Sequence, residues 1–357
     1  MNSTPHSFEL IFSDDGSGDE TAAVLEAIRD LPITLLRNSH EGVSHARNKA
    51  IAHARGRLLL FSGDDIFPEP DCLDRHIDAS LRAGPNTAIL GRIEWHPELG
   101  KSHLMKHITE IGCEQFAFPR LTPREPVNFQ HFYTSNISIE REFLLSCGGL
   151  FSHQFHKLNY EDIELGYRLS KKGLKIVYHP DALAYHYHPY SVPAFCMRQA
   201  NAGEMANVLE KLHPELEGLL EIMQIRRRFD RFAGRAGNRT LLHPKNNSYR
   251  LAEIAALCER VERHPQGKDR DILLSSVYFA LFRAYYELGV LKGMGLEEPG
   301  LLEDFLRFSY FPWSFVWDYR TPRIKIYDLK AVSRNFSTIT DFTPLTEATG
   351  EVALAGG

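Results

Sequence analysis

The stretch Tyr160-Glu161-Asp162-Ile163-Glu164-Leu165-Gly166-Tyr167-Arg168-Leu169 sets the carboxylates of Glu161, Asp162 and Glu164 ahead of an apolar, helix-compatible run. Acidic groups suit the first turn of a helix, where free N–H groups and the backbone dipole favour negative charge. Glu161 and Asp162 at such an end can hold an ionised carboxylate at the rim of a site, ready to take a proton. The plainer alternative is an ordinary acidic helix start. A second chemical segment is Phe8-Glu9-Leu10-Ile11-Phe12-Ser13-Asp14-Asp15-Gly16-Ser17, an apolar strand running into paired aspartates and a turn. Carboxylates at the C-terminal end of a strand in an open α/β sheet face the crevice where ligands bind; capping of the next helix is the competing use. A third segment, Arg57 to Pro68, repeats the pattern with Asp64-Asp65, hard oxygen ligands suited to Mg²⁺ or Mn²⁺ on phosphates. Upstream, Gly42 to Ala50 carries Arg47, a permanent planar cation able to reach a ribose or phosphate, or else a solvated residue on a surface helix. Finally, Ala182-Leu183-Ala184-Tyr185-His186-Tyr187-His188-Pro189 spaces two histidines so that both face one side of a strand.

In this order the segments resemble the inverting family 2 glycosyltransferases of GT-A fold. Asp14-Asp15-Gly16-Ser17 resembles that family's DDGS, and Gly42 to Asn48 its G-x-x-x-A-R-N segment. Gly63-Asp64-Asp65 stands where the family carries D-x-D, and Thr134-Ser135-Asn136 resembles the small polar acceptor-loop motif. Glu161, Asp162, Glu164, Leu165 and Arg168 resemble ED-x-E-L-x-x-R, and His186 the late histidine of the metal site. The likeness covers about residues 8 to 205. It implies that Asp14, Asp15 and Arg47 hold the nucleoside of a sugar nucleotide, with Asp64 assisting. Asp65 and His186 are implied as ligands of Mn²⁺ or Mg²⁺ on the diphosphate, and Asp162 as the general base with Glu161 beside it. The implied reaction is one direct displacement, in which an acceptor hydroxyl loses its proton while attacking the anomeric carbon. The acceptor implied is a glycan, a lipid-linked sugar or a protein hydroxyl, in polysaccharide or glycoconjugate synthesis.

Two departures from the family pattern motivate an alternative, a catalytically inactive GT-A-like binding or assembly module. Gly63 replaces the first aspartate of D-x-D. The chain also runs from Met1 straight into the strand of Asp14, whereas relatives place a strand-helix unit before it. The expected fold is therefore an N-terminally truncated GT-A α/β domain over residues 1–205, followed by a mostly helical appendage over 206–357. An apolar sheet edge is expected to stay uncovered in the first domain.

Composition agrees with two ordinary domains: 357 residues, 43% hydrophobic and 24% charged, with a net charge of -5. That charge gives no argument for nucleic acid. Arg226-Arg227-Arg228, Arg231 and Arg235 read as a solvated helix face, with an anionic lipid as the weaker alternative. Five cysteines without CxxC spacing read as free thiols of a reducing compartment. No apolar run reaches membrane-spanning length, so a cytoplasmic protein is expected, with room for peripheral contact at the inner membrane face or a homo-oligomer.

Strands are expected at Phe8–Ser13, Ile33–Arg37, Arg57–Ser62 and Thr87–Trp95, with helices between them. The aromatics Phe116, Phe118, Phe129, Phe132 and Tyr133 are expected to pack, with sugar stacking as the alternative. Helices follow over 192–212, with Arg198, Gln199 and Gly203 near the site, then over 216–233, 249–263 and 271–291, with a Gly/Asn/Pro-rich break at 234–248. The aromatic run from Phe305 to Trp317 suggests core or dimer packing, with a membrane-surface belt as the alternative.

Overall fold

The computed structural model describes residues 4–236, 250–263 and 267–311, together with the strands Ser314–Asp318, Arg323–Tyr327 and Glu351–Ala353. The chain forms two compact units, one of residues 1–101 and 113–189, the other of residues 102–112 and 190–357.

In the first unit, β1 (Leu10–Asp14) and β2 (Ile33–Arg37) pair in parallel, connected by α1 (Thr21–Ala27). After α2 (Val43–His53) come β3 (Leu58–Ser62), β4 (Ile66–Pro68), α3 (Cys72–Arg82) and β5 (Thr87–Trp95). The short β6 (Pro126–Val127), β7 (Asn136–Glu140), α5 (Arg141–Ser146), α6 (Glu161–Ser170) and β8 (Lys175–His186) complete it; α4 lies in the other unit. The main sheet has the order β3-β7-β5-β8-β4, with β6 on β8, and only β5 and β8 run parallel. Alternation decides what each face buries. Ile137 and Ile139 enter an apolar core with Leu90, Phe132, Leu165 and Ile176. The aromatics Phe116, Phe118 and Phe132 are buried in that core, the packing expected of them.

The opposite face of β7 carries Asn136 and Ser138, bridged by the buried His76 of α3. Its Nε2 lies 2.8 Å from Asn136 Oδ1 and its Nδ1 2.9 Å from Ser138 Oγ. Burial lowers the His76 pKa to about 4, so the ring stays neutral, one nitrogen donating and the other accepting. Asn136 Nδ2 donates to the carbonyls of Arg92 (3.0 Å) and Ala182 (2.9 Å). These bonds fall where the β5–β8 register breaks: Gly91 pairs with His179, but Arg92 pairs with Leu183. Pro180, Asp181 and Ala182 are the extra residues, an odd number. Across this break β8 keeps its even-numbered residues Ile176, Tyr178 and Ala184 in the core, while β5 changes parity, from Leu90 to Ile93.

β1 and β3 do not pair, and each has one strand neighbour among the described residues. Both strands are half-buried along most of their length. The Glu9 carboxylate, just ahead of β1, accepts from the N–H groups of Arg55 (2.7 Å) and Gly56 (2.9 Å) ahead of β3.

The second unit contains α4 (His103–Lys106), which runs into a π-helical turn over His107–Ile111, then α7 (Val192–Leu212), α8 (Glu217–Leu220), α9 (Ile222–Ala236), α10 (Leu251–Glu262), α11 (Lys268–Gly293) and α12 (Pro299–Tyr310). The strands β9 (Ser314–Asp318), β10 (Arg323–Tyr327) and β11 (Glu351–Ala353) form an antiparallel sheet. The boundary expected at residue 205 falls inside α7, which goes whole with the second unit. The reason is tertiary: α7 and α11 approach backbone to backbone through Gly203 and Gly289. A Cβ on Gly203 would strike the Tyr286 carbonyl, and one on Gly289 the Ala200 carbonyl. Gly203 is therefore a helix-crossing residue.

The helix expected over 216–233 is divided at Glu221, whose φ is 57°. Of the arginine run, Arg226 pairs with Asp230 and Arg228 with buried Glu287, while Arg227, Arg231 and Arg235 are exposed, the solvated face expected. Phe305 packs on Phe229 and Phe232. Trp313 and most of the 234–248 break lie outside the described residues, and the side chains of Phe315 and Trp317 are not described. None of the five cysteines is joined in a disulfide. Among the described residues, no helix is long and apolar enough to cross a membrane.

Gly91 sits under the bulge, where a Cβ would lie 2.5 Å from the Ala182 carbonyl and collide with the Asn136 amide. Gly91→Ala is expected to destabilise the protein by about 1–3 kcal/mol through overpacking. A lowered urea midpoint at unchanged slope checks this; an unchanged midpoint contradicts it.

Candidate active site

The acidic segment forms the start of α6. Asn159 and Tyr160, just before it, have φ of 126° and 67°. Glu161 is buried: its Oε2 accepts from the Asn159 N–H (2.8 Å) and its Oε1 from Arg47 Nη1 (2.7 Å). The Arg47 guanidinium also lies over the Phe151 ring, 5.3 Å from its centroid. Glu164 takes two bonds from Arg168, at 2.6 and 2.9 Å, and Arg168 further donates to the Gly148 and Leu150 carbonyls. That pair fastens α6 to the preceding loop. Gly166 lets the helix come close to the 129–132 turn, since a Cβ there would lie 2.6 Å from Phe132 Cβ.

Asp162 is partly exposed, and Ile163 N–H donates to its Oδ1 at 2.8 Å. Thr134 N–H also bonds the carboxylate. Desolvation first, and the neighbouring Glu161 charge second, push its pKa up to about 7, against the opposing pull of Arg47. A carboxylate with that environment can exchange a proton near neutrality.

A second cluster lies at the C-terminal end of β8. His186 Nε2 is 3.0 Å and His188 Nδ1 3.4 Å from Asp65 Oδ2, and one ligand atom from each residue lies within 4.8 Å of the others. His186 is stacked between partners, with Trp95 at 5.3 Å and His188 at 5.5 Å between ring centroids. Burial alone would raise the Asp65 pKa, but the two imidazoles outweigh it and hold it low. One carboxylate oxygen and two imidazole nitrogens form a donor set that suits a divalent transition ion better than Mg²⁺. Gly63 now has a physical reason: a Cβ at that position would lie 2.8 Å from Asp65 Oδ1 and 3.2 Å from Ile66 Cγ1. The residue that departs from D-x-D makes room for the carboxylate that remains. Asp64 sits exposed on the turn beside it. Phe116 joins the two clusters, its ring 6.2 Å from His186 and 5.3 Å from Tyr133, which in turn lies in the field of Asp162.

The aspartates after β1 hold backbone. Asp14 Oδ1 accepts from Ser17 N–H at 2.8 Å, closing the turn. Asp15 takes the N–H groups of Glu41 (2.9 Å) and Gly42 (2.8 Å), one on each oxygen, and so fixes the entry to α2. Neither caps α1, the helix-capping use weighed for them, and each carboxylate keeps lone pairs for a ligand. Asn136 of the Thr134-Ser135-Asn136 segment is a buried sheet residue, and Thr134 offers its backbone to Asp162. His188 was not among the ligands implied by the resemblance, yet its two-residue spacing from His186 was the signal for it.

Residues 1–146 match glycosyl transferase family 2. That match covers the greater part of the first unit. The chain is 25% identical over 246 residues to the uncharacterized glycosyltransferase YfnE of Bacillus subtilis, covering 56% of this chain and 62% of that one. It is 28% identical over 197 residues to a validoxylamine A glucosyltransferase of Streptomyces hygroscopicus subsp. limoneus, covering 49% and 43%. The chain thus spans 62% and 43% of the length of these two curated relatives, less than two thirds of either. Among solved structures, the mannosyltransferase PcManGT from Pyrobaculum calidifontis aligns with TM-score 0.44 at 16% identity, covering 80% of this chain and 77% of that one.

The Asp65 cluster predicts that His188→Ala weakens Mn²⁺ binding by about tenfold or more, as expected for losing a member of the ligand shell. Gly63→Ala is expected to weaken it as well, by displacing Asp65. Calorimetry with Mn²⁺ alone reads both, and parent-like affinity in both variants would remove the cluster from consideration as a metal site.

Proposed function

We propose that this protein transfers a sugar from a nucleoside-diphosphate donor to a hydroxyl acceptor with inversion, Asp162 serving as general base. The observation that carries the reading is the partly exposed Asp162 carboxylate at the start of α6, its pKa raised to about 7. A base poised there can take the acceptor proton as the new bond forms and release it to water afterwards. Thr134 N–H and the first turn of α6 orient it.

Asp65, His186 and His188 would hold a divalent cation, Mn²⁺ in preference to Mg²⁺ on the chemistry of the donor set. Such an ion, when bound, neutralises charge on a diphosphate as a Lewis acid. Asp14, Asp15, Arg47 and Asp64 are proposed for the nucleoside and ribose, and the acceptor as a glycan, lipid-linked or protein hydroxyl. A cytoplasmic protein, in peripheral contact with a membrane where the acceptor is lipid-linked, fits this reading. The rival reading, a binding module without turnover, draws on the Arg47–Glu161 pair and on Asp14 and Asp15 being engaged by backbone. Calorimetry with UDP, GDP and dTDP, each with and without Mn²⁺, separates the two. Binding of none by the folded protein would favour the module, or a different ligand class.

Two outcomes are expected from the base assignment. Asp162→Asn should lower kcat by roughly 10²–10⁴ while leaving donor affinity nearly intact. In the parent, Asp162 is protonated and idle below its pKa, so kcat should rise with pH through about 7. Near-parent turnover in the asparagine variant would rule Asp162 out as the base.

A further inference from the structure

Two successive non-glycine residues with positive φ, Asn159 at 126° and Tyr160 at 67°, stand directly before α6. Such backbone is sparsely populated and persists only where the surroundings overdetermine it. Tyr160, in the N-cap place, makes no side-chain cap bond. The Asn159 N–H is bonded from inside the helix, where Glu161 reaches back with Oε2 at 2.8 Å. Its other oxygen takes Arg47 of α2 at 2.7 Å, across a sequence separation of 114 residues. The Glu161 side chain is 4% exposed. With both oxygens engaged by N–H donors and almost no surface, it is ill placed to receive a proton from an acceptor.

We propose that Glu161 is a positioning residue rather than a second catalytic carboxylate: it locks the left-handed Asn159–Tyr160 turn, ties it to α2 through Arg47, and so fixes where the Asp162 carboxylate points. This rests on reading Asp162 as the base. The order of the pair follows from the geometry. The first carboxylate of the helix turns back toward the strained backbone, and the second projects from the first turn toward Thr134. The same arrangement places charge around Asp162. Glu161 faces it from its own helix and Arg47 from α2. Tyr133 lies alongside, and the N–H groups of Thr134 and Ile163 bond it. Glu161 favours the protonated form of Asp162, and Arg47 the ionised form.

Two variants divide these duties. Glu161→Gln keeps an oxygen for Asn159 but loses the negative charge and the pair with Arg47. Glu161→Ala loses the oxygen as well. In the nucleotide-free protein, the Asp162 carboxyl is followed by ¹³C NMR against pH, a readout independent of turnover. Its midpoint is expected to fall by about one unit or more in Glu161→Gln, because a neighbouring like charge is gone. In turnover, the acid limb of kcat should move down with it. The plateau should fall by less than about tenfold in Glu161→Gln and by about 10²-fold in Glu161→Ala, the cost of a misplaced catalytic group. A midpoint unmoved in folded Glu161→Gln overturns the proposal, as do equal plateaus in the two variants. Should Glu161→Ala fail to fold, the Glu161→Gln midpoint decides alone. Parent-like turnover in Asp162→Asn would sink the base assignment without touching the NMR result, so the two failures are distinguishable.

Discussion

Asn136 reaches across the middle of the main sheet. Its amide nitrogen binds carbonyls on β5 and β8, while its oxygen is held by His76 from α3. These bonds satisfy the backbone that the bulge at Pro180–Ala182 leaves without ladder partners. Beyond the break the ladder resumes with Trp95 opposite His186, the residue that meets Asp65. A neutral, buried histidine is suited to the task. It donates on one nitrogen and accepts on the other, and it carries no charge that the interior would have to pay for.

Much of this was legible because it is local. Strand alternation at Ile33–Arg37 and Thr87–Trp95 and the helix over Val192–Leu212 are found with the bounds expected. The acidic start of α6 follows from the free N–H groups of a first turn, which residue type alone reveals. The same locality explains what was hidden. β8 begins at Lys175, well before the stretch from Ala182, because Pro180 and the bulge interrupt the alternation that marks a strand. The placement of α7 in the second unit is invisible in its own periodicity, since it depends on Gly203 meeting Gly289 more than eighty positions away. Asn136 resembled a loop residue for a like reason: its polarity suggested surface, and only a partner from α3 makes burial affordable.

The departure at Gly63 looked like a loss and has a compensating geometry. In the observed turn, a side chain at residue 63 and the present rotamer of Asp65 exclude each other. The donors that surround Asp65 come from the last residue of β8 and from the segment just after it, as imidazoles two positions apart. A site of one carboxylate and two histidines carries less negative charge than one of paired aspartates. The nature of the donors therefore shifts preference toward borderline ions and away from Mg²⁺.

Arg47 joins α2 to the start of α6. Asp15 holds the entry to α2 through two backbone N–H groups, and Arg47 projects from the same helix one turn on, to Glu161. One helix thus connects the β1 aspartates with the residue beside Asp162. The pair with Glu161 need not exclude a donor. A guanidinium offers five N–H groups, and the bond to Glu161 is made from Nη1. A phosphate or ribose oxygen approaching the remaining edge would share the cation rather than displace Glu161. On the reading proposed for the donor, such sharing would lessen the pull of Arg47 on the Asp162 charge, the pull that opposes its raised pKa.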